Sequence, residues 1–163
     1  MADRRPVETL VERDDGVVFA MRGAGGGAEL PHDLVHAVVE TGLRLPDGIW
    51  GCVADGVVWG SMRHVSGRRP PHAAERSARL TRDRAAAVQQ AEDLADLVAR
   101  LARGAEVLRG QVAALGVPDV RLEAAAKALR DATSRWAGLV PGEELVVEWT
   151  RPSRRPLPGR SRR

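Results

Sequence analysis

Apolar residues recur at Leu80, Ala87, Ala91, Leu94, Val98, Leu101, Ala105, Leu108, Val112 and Leu115, at intervals of three, four and seven. Such spacing places one buried stripe on a helix running from Ala73 to Leu115. Unbroken, that helix would measure roughly 65 Å at 1.5 Å per residue. A compact chain of 163 residues has a diameter of only about 40 Å. The helix therefore has to break, and Gly104 or Gly110 is the natural place. Downstream, "GVPDV" (116–120) turns the chain, and Pro118 opens a second helix marked by Leu122, Ala125, Leu129, Ala132 and Trp136. Two antiparallel helices, each about 30 Å long, form a helical hairpin able to cover one face of a sheet.

The sheet has to come from elsewhere. Residues 6–22 read as a β-hairpin. With Asp14, Asp15 and Gly16 as a three-residue loop, Arg13 pairs with Val17, and Val7, Thr9, Val11, Val17, Phe19 and Met21 share one face. A two-residue turn would split that apolar set, because a one-residue slip moves every side chain across the sheet. A lone hairpin is marginal in water. The best further strand is "EELVVEWT" (143–150), where Leu145, Val147 and Trp149 alternate with Glu144, Val146 and Glu148. The fold expected is α+β: one domain over 1–150, with a small antiparallel sheet of hairpin and C-terminal strand, packed against a short helix and the long helical hairpin. The glycine-rich stretch "RLPDGIWGCVADGVVWGSMRHVSG" (44–67) shows no clear periodicity; Trp50 and Trp59 anchor it in the core.

Hydrophobic residues make up 44% and charged residues 29% of the chain, a globular balance rather than a disordered one. No run approaches the ~18 apolar residues of a membrane span, and the first residues carry no apolar secretion signal. A lone cysteine, Cys52, excludes an internal disulfide framework and fits a reducing, cytoplasmic setting. The formal net charge of +3 is unevenly spread: residues 1–150 carry 19 basic against 22 acidic groups, while the last thirteen hold six arginines and no acid. Residues 151–163 read as a disordered basic tail able to make weak, nonspecific contact with polyanions.

Chemistry concentrates in "PHDLVHAVVE" (31–40). Pro31 fixes a helix start, and Leu34, Val35, Val38 and Val39 form its apolar arc. His32, His36 and Glu40, four apart, run in a stripe beside that arc, with Asp33 at its edge. Side chains at i and i+4 approach closely enough to share an ion, so these four are candidate ligands for a divalent metal such as zinc. The alternative is that both histidines border the core while Glu40 faces solvent. His64 and His72 are further donors, though His72, after Pro70-Pro71, suits a helix start.

His32-Asp33-Leu34-Val35-His36 resembles the HDxxH core of the proposed zinc motif in the COQ4 family of ubiquinone-biosynthesis proteins. That motif's glutamate would fall at Gly48. The resemblance covers five residues and implies metal binding; the all-helical fold of that family is not expected here. The chain as a whole resembles short proteins of high-GC, actinobacterial-type genomes, which implies no activity.

Other patterns point to bland roles. "GAGGGA" (23–28) formally matches a dinucleotide fingerprint, but its strand belongs to a hairpin and Pro31 delays the helix, so it reads as a linker. Cys52, between Gly51 and Val53, reads as a small buried hydrophobe. Two functions follow: a metal-binding protein, with hydrolase or lyase chemistry open to it, or a non-catalytic module whose helical hairpin binds a protein partner.

Overall fold

A computed structural model describes residues 7–22, 29–106 and 115–152. In chain order the elements are β1 (Glu8–Glu12), β2 (Val18–Arg22), α1 (His32–Leu43), α2 (Ile49–Ala54), β3 (Met62–Ser66), α3 (Ala73–Asp83), α4 (Ala85–Ala102) and α5 (Asp119–Ala137). The class is α+β, with a three-stranded antiparallel sheet in the order β1-β2-β3.

The hairpin takes the register its apolar alternation demands. Thr9 pairs with Met21 and Val11 with Phe19, and the Arg13 amide donates to the Val17 carbonyl at 3.1 Å. Gly16 closes the loop at φ +75, a left-handed conformation that glycine adopts without steric penalty. Val11, Val17 and Phe19 are buried.

The third strand is not the C-terminal one. Met62–Ser66 pairs with β2, and a bulge between Val18 and Phe19 shifts the register so that Phe19 faces His64. Residues 143–150 form no strand. Their alternation is nonetheless real: Leu145, Val147 and Trp149 are half-buried while Val146 and Glu148 are exposed. The segment is held at α2 instead. Arg151 donates to the Gly51 carbonyl at 3.2 Å and to Asp55 Oδ1 at 2.6 Å. Arg84 donates to the same carbonyl at 3.3 Å and pairs with Asp55 Oδ2 at 2.5 Å. Arg151, expected in the tail, is thus part of a two-arginine clamp, and residues 153–163 lie outside the described residues.

The long helical stripe breaks twice. Arg84, at φ −109 and ψ 11, separates α3 from α4. The second break is the glycine one: Gly104 has φ +79, and the Ala105 amide reaches back to the Arg100 carbonyl at 3.0 Å, a Schellman ending that satisfies the helix's last carbonyls. Residues 107–114, including Gly110, lie outside the described residues, as does the linker 23–28, while the expected turn at 116–120 is in place, with Gly116 at φ +66 and Pro118 directly before α5.

Two apolar cores result. Val39 and Leu43 of α1, Leu94, Leu97 and Val98 of α4, and Leu122 and Leu129 of α5 form one. Each such side chain contributes roughly 1.5–3 kcal/mol when fully buried. Val11, Val17, Phe19, Val53 and Met62 form the other, with Trp50 and Trp59 packed against it. The apolar side of the sheet therefore meets α2 and the segment after it, rather than the long helices. The stripe on α4 is already used against α1 and α5, which leaves it nothing to offer a sheet. Among the described residues no helix is long and apolar enough to cross a membrane.

Candidate metal centre

Pro31, at φ −53 and ψ 141, precedes the first turn of α1; its ring supplies a φ suited to a helix start. The helix then projects His32, His36 and Glu40 from successive turns of one face. Because α4 packs alongside α1, Glu92 meets the two histidines from the neighbouring helix. Its Oε2 lies 3.2 Å from His36 Nε2 and 3.8 Å from His32 Nε2. The imidazole rings sit edge to face with centroids 4.7 Å apart. One ligand atom from each of His32, His36 and Glu92 falls within 4.8 Å of the other two.

Behind this trio sits Glu40, with 0% of its surface exposed. Two devices fix it. Its backbone carbonyl accepts the Leu45 amide at 2.9 Å, where α1 ends in a left-handed Arg44 and the chain doubles back. Its carboxylate then meets the start of α2: Oε1 accepts the Ile49 amide at 2.8 Å and Oε2 the Trp50 amide at 3.0 Å. These amides lack intrahelical partners, and an acidic group there also suits the positive end of the helix. A side chain at position 48 would displace this carboxylate, since a Cβ there would stand 2.5 Å from Glu40 Cδ.

His36 is consequently held between two carboxylates. Nδ1 lies 3.4 Å from Glu40 Oε1, an ion-pair distance without hydrogen-bond geometry, and Nε2 makes a 3.2 Å hydrogen bond with Glu92 Oε2, with only 1% of the residue exposed. A neutral imidazole has a single N–H, so one of its nitrogens would turn a lone pair toward a carboxylate. The ring needs a second cationic partner: an additional proton, making it imidazolium, or a metal on the nitrogen that faces Glu92. Burial disfavours the charged ring, but Glu40 and Glu92 outweigh it and raise the pKa of His36 above its ordinary value.

Of the four ligands read from the sequence, His32 and His36 come together. Glu40 lies beside them, occupied by the α2 amides and in contact with the far nitrogen of His36; it is buried, not in solvent. Asp33 falls outside the group. Its backbone carbonyl accepts the Trp50 indole N–H at 3.0 Å, and its Oδ2 is buried without a hydrogen-bond partner. Glu92, fifty-six residues beyond His36, was invisible in the sequence. It stands beside Asp93 in a polar run of α4, and only the packing of two helices selects it. His64 is elsewhere, its Nε2 2.9 Å from the Gly67 carbonyl and its ring on Phe19. His72 precedes the first turn of α3 in a left-handed conformation. Cys52 is fully buried, and burial pushes its thiol pKa up against the pull of Arg84, which keeps it a thiol rather than a nucleophile.

No family model matches the chain, and neither a curated protein nor a solved structure matches it.

Proposed function

We propose that the protein binds one divalent transition metal, zinc being the best fit, through His32, His36 and Glu92. Glu40 orients His36 from behind. The observation that carries this reading is the convergence of two imidazoles and a carboxylate from two packed helices, with the remaining nitrogen of the buried histidine against a second carboxylate. Metal-bound histidines commonly direct their other ring nitrogen to such an acceptor, which fixes the tautomer and raises ligand basicity.

Two of the three ligand separations suit zinc. Ligand atoms about 2.0–2.1 Å from a tetrahedral ion stand ~3.3 Å apart, close to the 3.2 and 3.8 Å separating Glu92 from the two imidazoles. Two histidines and one carboxylate leave a fourth position, and the side chains of His32 and Glu92 are 66% and 43% exposed. Water can therefore reach the ion. An open position of this kind distinguishes zinc sites that act on a bound water from closed structural ones, and it makes hydrolytic or lyase chemistry accessible. The five-residue likeness to a zinc motif agrees with this reading, with one departure. The motif's glutamate would fall at Gly48, and the Glu40 carboxylate takes the space that a side chain there would enter.

The rival reading, a helical module for a protein partner, has less apolar surface to work with, because Leu94, Val98, Leu122 and Leu129 are buried in the helical core.

Titration of chelator-treated protein with zinc, against a competing chromophoric chelator, tests the proposal. Wild type should take up one equivalent, and cobalt in its place should show the absorption of a tetrahedral ion. His36→Ala and Glu92→Ala should lose the site, while His64→Ala should keep it. A folded wild type that takes up no zinc at micromolar free metal would overturn the reading.

A further inference from the structure

Away from the histidines, a cleft of about 320 Å³ opens between the hairpin turn, the end of α2 and the start of α3. That volume lies at the small end of ligand sites, which span ~300–1,000 Å³. Its wall combines apolar side chains, among them Val58, Pro70 and Ala73, with Arg13, Arg69 and Arg76. Its two acids are already neutralised. Asp15 pairs with Arg13, and Asp55 is held by both Arg84 and Arg151. Among the described residues Arg69 and Arg76 have no ion-pair partner, and the Arg76 side chain lies over Gly56, its Nε 3.7 Å from where a Cβ on that glycine would stand. The cleft thus presents two uncompensated guanidinium groups beside an apolar wall.

We infer that this cleft binds a small organic oxyanion, a phosphate monoester or carboxylate attached to a compact apolar body. Arg69 and Arg76 supply the donors, since guanidinium groups engage such oxygens in paired, charge-assisted hydrogen bonds. Val58, Pro70 and Ala73 face the apolar body. Because Asp15 and Asp55 are already paired, an incoming anion meets net positive charge rather than a balanced surface. A bare inorganic anion would gain the arginine contacts alone and bind more weakly than an aryl ester.

Phenyl phosphate, benzoate, inorganic phosphate and benzyl alcohol serve as probes, titrated calorimetrically at physiological salt, where unspecific surface attraction is screened beyond ~8 Å. Chelator-treated protein keeps any anion bound to a metal out of the reading. Saturable one-to-one binding of phenyl phosphate or benzoate is expected, the stronger of the two identifying the head group. Inorganic phosphate should bind more weakly and benzyl alcohol not at all. The double variant R69Q/R76Q should bind roughly tenfold more weakly or worse, equivalent to about 1.4 kcal/mol, with an unaltered thermal melt. R79Q/R82Q, which removes two other arginines of α3, should bind as wild type does. Absence of saturable binding, or equal loss in both double variants, would overturn the inference.

Discussion

Two polar clusters flank α2, and they solve opposite electrostatic problems. At Asp55, two guanidinium groups close on one carboxylate and one carbonyl, so each acceptor meets a donor and the cluster is complete as it stands. At His36, two carboxylates close on one imidazole, with a second imidazole beside it, so two negative charges face a ring that carries at most one positive charge. The first arrangement ties a chain segment down. The second is short of a cation, and supplying one changes both its stability and its chemistry. Burial alone does not separate the two; the balance of charge does.

The sharpest way to break this contrast is to remove the carboxylate that links the histidine cluster to the fold. Glu40→Ala leaves His36 and two α2 amides without their partner in a fully buried setting. A loss of about 3–5 kcal/mol is expected, the range for breaking a buried charged pair from one side. Glu40→Gln keeps an acceptor for the α2 amides and should lose less. Urea denaturation of the chelated proteins measures both, and a loss from Glu40→Ala below about 1 kcal/mol, the size of an exposed pair, would mean the carboxylate does not hold α2. Next in size is the response to a cation. With free zinc at a hundred times Kd, wild type should gain about 2.7 kcal/mol by mass action. His36→Ala should gain nothing under the same conditions.

The closed cluster should respond less and differently. Asp55→Asn removes the anion shared by Arg84 and Arg151, in a place that is a quarter exposed, so the loss should be about 1 kcal/mol with zinc affinity unchanged. Burial opposes ionisation of Asp55, but hydrogen bonds from Arg151 and Arg84 overcome it and hold the carboxyl below its usual range. Its contribution is therefore present above the unfolded carboxylate pKa of about 3.9 and disappears as pH falls through the lower folded value. An Asp55→Asn variant that lost zinc would show the two clusters to be coupled, and the contrast drawn here would fail.

How far these features could be read in advance depended on the range of the interaction. The hairpin was legible because the Val11, Val17 and Phe19 alternation and Gly16 act within fifteen residues of one another. β3 was not. Its bulge breaks the period, and four of its five residues are exposed, so Met62–Ser66 carries no apolar alternation. In 145–149 the alternation was legible but not its target, since a half-buried extended segment packs on a helix as readily as it joins a sheet. At the candidate site, helical spacing revealed His32 and His36 correctly. It could not reveal that Glu40 turns inward, which depends on the reversal at Arg44, or that Glu92 is brought over by α4. Those are tertiary facts, and no local period encodes them.

The smallest predicted effect probes the histidine cluster without any substitution. His36 has its folded pKa raised, so the protonated ring contributes stability that is fully present below the unfolded histidine pKa of about 6.5 and is lost as pH rises through the folded value. Chelated wild type should therefore weaken on passing from pH 6 to pH 8, while the His36→Ala variant stays flat over that interval. Zinc should reverse the slope. Metal and proton compete for the nitrogen facing Glu92, so the stabilisation by zinc grows as the proton leaves. Urea midpoints at the two pH values, with chelator and with zinc, give four numbers that must cross. If both series fell together, zinc would not be competing for the His36 proton, and the cation missing from this cluster would be the proton alone.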